Sequence, residues 1–221
     1  MRFSYYDRLP AALRRVYDQS DRVNEVPLPR TPALRAVVVS LQEALTADRR
    51  PAAQRAAAAL VQELTRALQV EEVDLKVLAV RPRGRESELH GLYVREPGKR
   101  PVIRVWMRTA AHHRVVSFRT FLRTLLHEVA HHLDYTHLGL PDSLHTEGFF
   151  KRESSLLRHL DRALAEGDKR AAPGARAGDR VAPEPVPKGE RRSPRRRVGP
   201  VQLELFSWAG SSPGRGPRRE R

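Results

Sequence analysis

The 221-residue chain has no cysteine. Disulfides and thiolate ligands are therefore excluded, and any bound metal must be held by histidine and carboxylate. No apolar run reaches the roughly 20 residues that a membrane-spanning helix needs, so no membrane partner is expected. Charged and aromatic residues follow Met1 where a signal peptide would carry its apolar stretch. A soluble, cytoplasmic protein is the expectation, with association to the nucleoid in view. No internal repeat is present. Acidic residues are also scarce: 26 Asp/Glu face 41 Lys/Arg, for a formal charge of +15. An excess of that size favours an anionic partner through non-specific attraction, and DNA is the commonest such partner.

Hydrophobic spacing divides the chain into three parts. Residues 1–70 form a helical extension. Leu9, Leu13, Val16 and Tyr17 mark a short helix, and Leu34, Val37, Val38, Leu41 and Leu45 a second. Pro27, Pro29 and Pro32 separate them. A third helix is predicted from Pro51 to Leu68. None of the three carries residues that suggest chemistry. Residues 71–166 change period. Val73, Leu75 and Val77 alternate with charged residues as a strand does. Leu89–Val94 and Pro101–Met107 read as two more strands, joined through Glu96-Pro97-Gly98-Lys99 as a hairpin. A helix beginning after Ser117 and a last helix over 147–166 complete an α+β domain. Residues 167–221 hold 14 Lys/Arg, 6 Asp/Glu and eight of the chain's 17 prolines. Such a segment cannot bury enough apolar surface to offset its conformational entropy, so a disordered basic tail is expected.

The chemistry concentrates in Leu125-Leu126-His127-Glu128-Val129-Ala130-His131. Residues four apart on a helix share a face, so His127 and His131 can aim at one metal ion. Glu128 can reach a water on that metal and act as the catalytic base. Leu122, Leu126, Val129 and Leu133 form the apolar stripe, with the two histidines off it. Ser117 is the expected N-cap, and Gly139 with Pro141 the stop signal. The bland alternative is a core helix that happens to carry two histidines.

Zinc, the expected cofactor, needs a third protein ligand and an open position for water. Three residues after the Gly139-Leu140-Pro141 turn qualify: His145, which is preferred, with Glu147 and Asp142 as alternatives. His132 should point about 100° away from His131 around the helix, to the surface or to the surroundings of the ligands. Asp134 lies on nearly the same face as His131. It is either a carboxylate supporting a ligand imidazole or an ordinary surface charge. His137 and His159 are expected at the surface, His112 and His113 in a loop, and His90 in a strand. Tyr93 and Tyr135 are the available oxyanion donors, with nothing to select between them. Val102–Met107 is expected to be the edge strand that holds a substrate peptide.

The segment Leu-Leu-His127-Glu128-Val-Ala-His131-His, followed by His145-Thr-Glu-Gly-Phe149-Phe150, resembles the SprT-like zinc metalloprotease domain over roughly residues 73–165. The resemblance implies a minimal zincin with a small sheet. It implies His127, His131 and His145 as zinc ligands, Glu128 as base and a protein as substrate. Thr146 and Glu147 stand before Gly148, where that family usually places glycine directly after the histidine, so Glu147 stays open as third ligand. The family's cysteine-rich zinc ribbon is absent. The minimal zincins that cleave phage repressors are the next most similar pattern, which leaves a regulatory protease as an alternative. A third reading is a non-enzymatic adaptor that binds DNA or a replicative sliding clamp.

The tail contains one apolar island, Gln202-Leu203-Glu204-Leu205-Phe206, with Trp208 close behind. An island of this kind in a polar segment is a candidate docking peptide that would order on binding, the alternative being a terminal strand or helix that folds back onto the domain. It resembles the pentapeptide by which bacterial proteins bind the replicative sliding clamp. In that resemblance Leu205 and Phe206 fill the apolar pocket, beside Leu203, and Gln202 supplies polar recognition. Arg191, Arg192, Arg195, Arg196 and Arg197 precede it and can attract phosphates without reading sequence. A protease-like domain with a basic tail and a clamp peptide resembles the plan of Spartan-type proteases, which degrade proteins crosslinked to DNA.

Overall fold

A computed structural model describes residues 2–29, 31–82 and 89–171. The docking peptide at Gln202, Leu203, Leu205 and Phe206, the run at Arg191, Arg192, Arg195, Arg196 and Arg197, and the expected disorder of the tail beyond Ala171 lie outside the described residues. Helices α1 (Ala11–Arg22), α2 (Pro32–Thr46) and α3 (Arg50–Ala67) come first. Strands β1 (Asp74–Val80), β2 (Gly91–Val94) and β3 (Val102–Arg108) follow, then α4 (Phe118–Thr136) and α5 (Glu147–Ala171). The architecture is α+β. Helix α5 continues past Glu166, where the apolar pattern had suggested an end. No helix among the described residues is long and apolar enough to cross a membrane.

Local chemistry explains the helix boundaries. Thr31 accepts a hydrogen bond from the Leu34 amide at 3.1 Å, and Pro32 occupies the first turn, where its missing N–H costs nothing. Ser117 caps α4 by accepting from the Thr120 amide at 3.2 Å. Beyond the helix, Gly139 takes a φ of +63°, which a side chain would resist.

The sheet runs in the order β1-β3-β2. Strands β2 and β3 are antiparallel, with Tyr93 opposite Ile103, while β1 lies parallel on the other side of β3, with Leu75 opposite Ile103. The expectation that Val102–Met107 forms the edge is therefore overturned. That strand is central, because β1 pairs with it across a long connection that hydrophobic alternation cannot reveal. The outer rim of β1 is occupied by a side chain from α3. Gln54 donates from Nε2 to the Leu75 carbonyl at 2.9 Å and accepts from the Val77 amide at 2.7 Å, as a neighbouring strand would. This leaves β2 as the edge without a backbone neighbour among the described residues.

One apolar core joins the helices to the sheet. Leu41 of α2, Leu60 and Leu64 of α3, Ile103 and Met107 of β3, Leu122 and Leu126 of α4, and Leu156 and Leu160 of α5 all belong to it. The helices before the sheet are thus part of the scaffold on which α4 is held. Replacing Gln54 with Leu should strand the Leu75 carbonyl and the Val77 amide and cost about 1–3 kcal/mol in urea unfolding. A change below about 0.5 kcal/mol, the range of ordinary surface substitutions, would mean that the β1 rim does not depend on this amide.

Candidate metal centre

Helix α4 places His127 and His131 one turn apart on the face away from Leu122, Leu126, Val129 and Leu133. The chain reverses after Gly139 and brings His145 back against them. The Nε2 atom of His145 lies 3.0 Å from that of His127 and 3.2 Å from that of His131. The three residues form the one His/Asp/Glu cluster with metal-ligand spacing among the described residues. Three nitrogens bound tetrahedrally at 2.0–2.1 Å from a zinc ion would stand about 3.3 Å apart. The observed separations fall within a few tenths of an ångström of that value.

The outer nitrogens set the tautomers. His127 Nδ1 is 3.0 Å from Glu153 Oε2, and a carboxylate can only accept. His131 Nδ1 is 2.7 Å from Ser143 Oγ, whose single proton goes to Asp134 Oδ2 at 2.7 Å. Both Nδ1 atoms must therefore carry the hydrogen, which leaves both Nε2 lone pairs pointing at the shared space. Burial, with the neighbouring imidazoles, drives the His131 pKa well below its ordinary value, and burial followed by His127 lowers that of His145 to about 4. Those two rings are neutral at pH 7. The two lone pairs can accept from a hydrogen on His145 Nε2 or, when that hydrogen sits on Nδ1, join the third nitrogen around a cation, so these residues fit a divalent metal with nitrogen preference.

A buried ion pair stands behind the ligands. Arg152 is 1% exposed and Asp134 is fully buried, and Arg152 Nη2 donates to Asp134 Oδ1 at 2.7 Å. Arg123 Nε donates to Glu153 Oε1 at 2.7 Å, on the opposite side of that carboxylate from His127. Each of the two helix histidines thus has its own supporting acid, Glu153 directly for His127 and Asp134 through Ser143 for His131.

Glu128 points between α4 and β2. Its carboxylate takes the space a side chain would fill at Gly91, so any residue larger than glycine there would collide with it. The Tyr93 backbone amide donates to the carboxylate. Burial nevertheless dominates, and pushes the Glu128 pKa up to about 7. A carboxyl poised near neutrality can both take up and return a proton.

The remaining sequence candidates are placed as follows. Glu147 turns to Lys151 at 2.9 Å, and Asp142 Oδ1 accepts from the Ser143 amide at 2.8 Å, so neither joins the cluster. His132 is buried, not at the surface. Its Nε2 donates to the Glu71 carbonyl at 2.7 Å, which makes Nδ1 the acceptor for the Tyr93 hydroxyl at 3.2 Å. Tyr135 directs its hydroxyl to Asp142 at 3.4 Å. Both phenols are thus turned to protein partners. Asp134 is buried and reaches the His131 imidazole through Ser143, so it is not a surface charge. His112, His113 and His137 are exposed, while His90 and His159 are half-buried.

Arg152, Glu153 and Ser143 were missed by sequence reasoning. A signal for the first two was present. They occupy the positions three and four residues after Phe149 on the apolar stripe of α5 that continues to Leu156 and Leu160. Charges on a stripe that must face the core need partners there.

Glu153→Ala should weaken binding of a divalent metal by about 10- to 100-fold, the usual cost of losing a carboxylate behind a ligand histidine. Chelator competition would measure it, and unchanged affinity would remove Glu153 from the centre. Comparison of the chain with models of protein families, with curated proteins and with solved structures gives no match.

Proposed function

We propose that this chain is a zinc-dependent endopeptidase of SprT-like type. The observation that carries the reading is the convergence of the His127, His131 and His145 Nε2 atoms beside the buried carboxylate of Glu128. The three histidines would hold zinc and leave a position open to solvent. When bound, the ion would polarise a scissile carbonyl and acidify a water.

The protein's own groups do the rest. Glu128 accepts one proton of the attacking water, whose oxygen bonds to the carbonyl carbon. Glu128 then delivers that proton to the departing amide nitrogen as the C–N bond breaks. The proton count closes on the same carboxylate. An extended peptide can pair with β2, the strand whose rim is open and whose Tyr93 amide already touches Glu128. Substrate backbone is thereby held by main-chain hydrogen bonds, without dependence on side-chain identity.

DNA-associated proteins are the proposed substrates. Support comes from the +15 charge and from the arginines at 191–197, beside a peptide resembling a sliding-clamp ligand at Gln202, Leu203, Leu205 and Phe206. Charge attracts the protein to DNA in general, and the peptide would bring it to replication sites.

Elemental analysis of the purified protein should find one zinc per chain. The metal should be lost in His127→Ala and His145→Ala but kept in Glu147→Ala and Glu128→Gln. Glu128→Gln should lower cleavage of DNA-bound protein by about 10²- to 10⁴-fold, the usual contribution of a positioned acid–base group. Retained turnover in that variant would sink the mechanism. Wild-type protein free of metal after reconstitution would leave an adaptor as the better account. Deleting residues 201–208 should abolish binding to a bacterial sliding clamp in a pull-down with purified components. Undiminished binding would show that the peptide is not the contact.

A further inference from the structure

His145 is the ligand least secured by its own chain segment. It stands on a loop, whereas His127 and His131 belong to a helix. Its ring lies over Phe150, with centroids 5.7 Å apart and planes 19° apart. Its backbone is tied by residues far away in sequence. Tyr5 donates its hydroxyl to the His145 carbonyl at 2.7 Å. Ser20 Oγ is 3.2 Å from Thr146 Oγ1, and both residues are fully buried. The Gly148 amide donates to Asp21 Oδ1 at 2.6 Å. That amide is one of the orphan donors in the first turn of α5, and a carboxylate from α1 satisfies it. The approach is so close that a Cβ at Gly148 would lie 2.6 Å from the Ser20 carbonyl oxygen.

The same segment reaches a second ligand. Arg152 Nη1 donates to the Ser20 and Val23 carbonyls, each at 2.6 Å, and its Nη2 donates to Ser20 Oγ at 2.9 Å and to Asp134 at 2.7 Å. Asp134 then holds Ser143, which holds His131. The end of α1 is therefore one hydrogen-bonded step from the loop of His145 and four from the ring of His131.

We propose that residues 5–23 act as a clasp on the metal centre, fixing His145 through Tyr5 and Asp21 and the orientation of His131 through Ser20 and Arg152. The clasp contributes no ligand. Metal retention then depends on whether this segment is docked, and undocking it releases the third ligand while the helix pair on α4 remains. Tyr5 and Asp21 are positioning residues. This inference rests on the metal-centre reading given under Proposed function.

The test uses the full-length chain, with zinc affinity from chelator competition and the visible spectrum of the cobalt-loaded protein as readouts. Tyr5→Phe removes one hydroxyl, and Asp21→Ala removes one acceptor. Each should weaken zinc about tenfold or more, as loss of outer support does, and dim the cobalt bands that mark tetrahedral coordination. Asp21→Asn keeps an acceptor for the Gly148 amide and should restore both readouts. The melting temperature of the metal-free variants should stay close to that of wild type. Wild-type affinity and spectrum in both variants would overturn the clasp and leave the metal centre standing. Weakening that only follows a fall in metal-free stability would also overturn it, because the contact would then be merely structural. Failure of the wild type itself to bind zinc or cobalt would remove the metal centre and the clasp together.

Discussion

A guanidinium with almost no access to water must have its charge met by the protein, and the structure around the three histidines depends on how Arg152 is met. Its desolvation is offset by one carboxylate, two backbone carbonyls and a serine hydroxyl drawn from α4, α1 and the turn after α1. Buried pairs of this kind add little net stability, but removing one partner leaves a stranded charge that costs about 3–5 kcal/mol. The pair therefore acts as a geometric constraint. Asp134 must sit where Arg152 can reach it, Ser143 where Asp134 can reach it, and His131 where Ser143 can accept from Nδ1.

Two carboxylates near the histidine cluster, Glu153 and Glu128, differ in their surroundings. Glu153 accepts from His127 and from Arg123, so its charge is supported on both sides. Glu128 has a single backbone donor and little water, and burial pushes its pKa up to about 7. The first suits a fixed acceptor and the second a group that exchanges a proton. The separation arises from one strand. Gly91 leaves room for the Glu128 carboxylate, and Tyr93 supplies the amide that holds it. His132 in turn anchors Tyr93. The different directions taken by His127, Glu128 and His132 (to the histidine cluster, to Gly91 and to Tyr93) follow from the 100° step between consecutive helix residues.

Much of the fold was legible because it follows from local periodicity. The helix carrying His127 and His131, its Ser117 cap, the hairpin of β2 and β3 and the apolar face of α5 all have spacing that reports the secondary structure. The identity of the central strand was not legible. A parallel partner such as β1 leaves no mark in the strand it pairs with, and Gln54 closing the β1 rim is a contact between residues over 20 positions apart. The buried charges of α5 escaped notice for a related reason. Glu153 and Arg152 look like ordinary charges of a helix surface until the stripe they share with Phe149, Leu156 and Leu160 is seen to face inward.

The sequence by itself determined which residues could bind a metal, since four-residue spacing on a helix and the absence of cysteine are local facts. It also determined the α+β class and the place of Glu128 beside His127 on one helix. Only the tertiary structure decided that His145, not Glu147 or Asp142, meets the pair. The reversal after Gly139 and the packing on Phe150 select among three residues that sequence distance alone treats alike. Tertiary structure alone also decided that the N-terminal segment holds the backbone around His145. Tyr5 and Asp21 lie more than 120 residues from the backbone they hold, and contacts across that distance depend on packing of the whole chain.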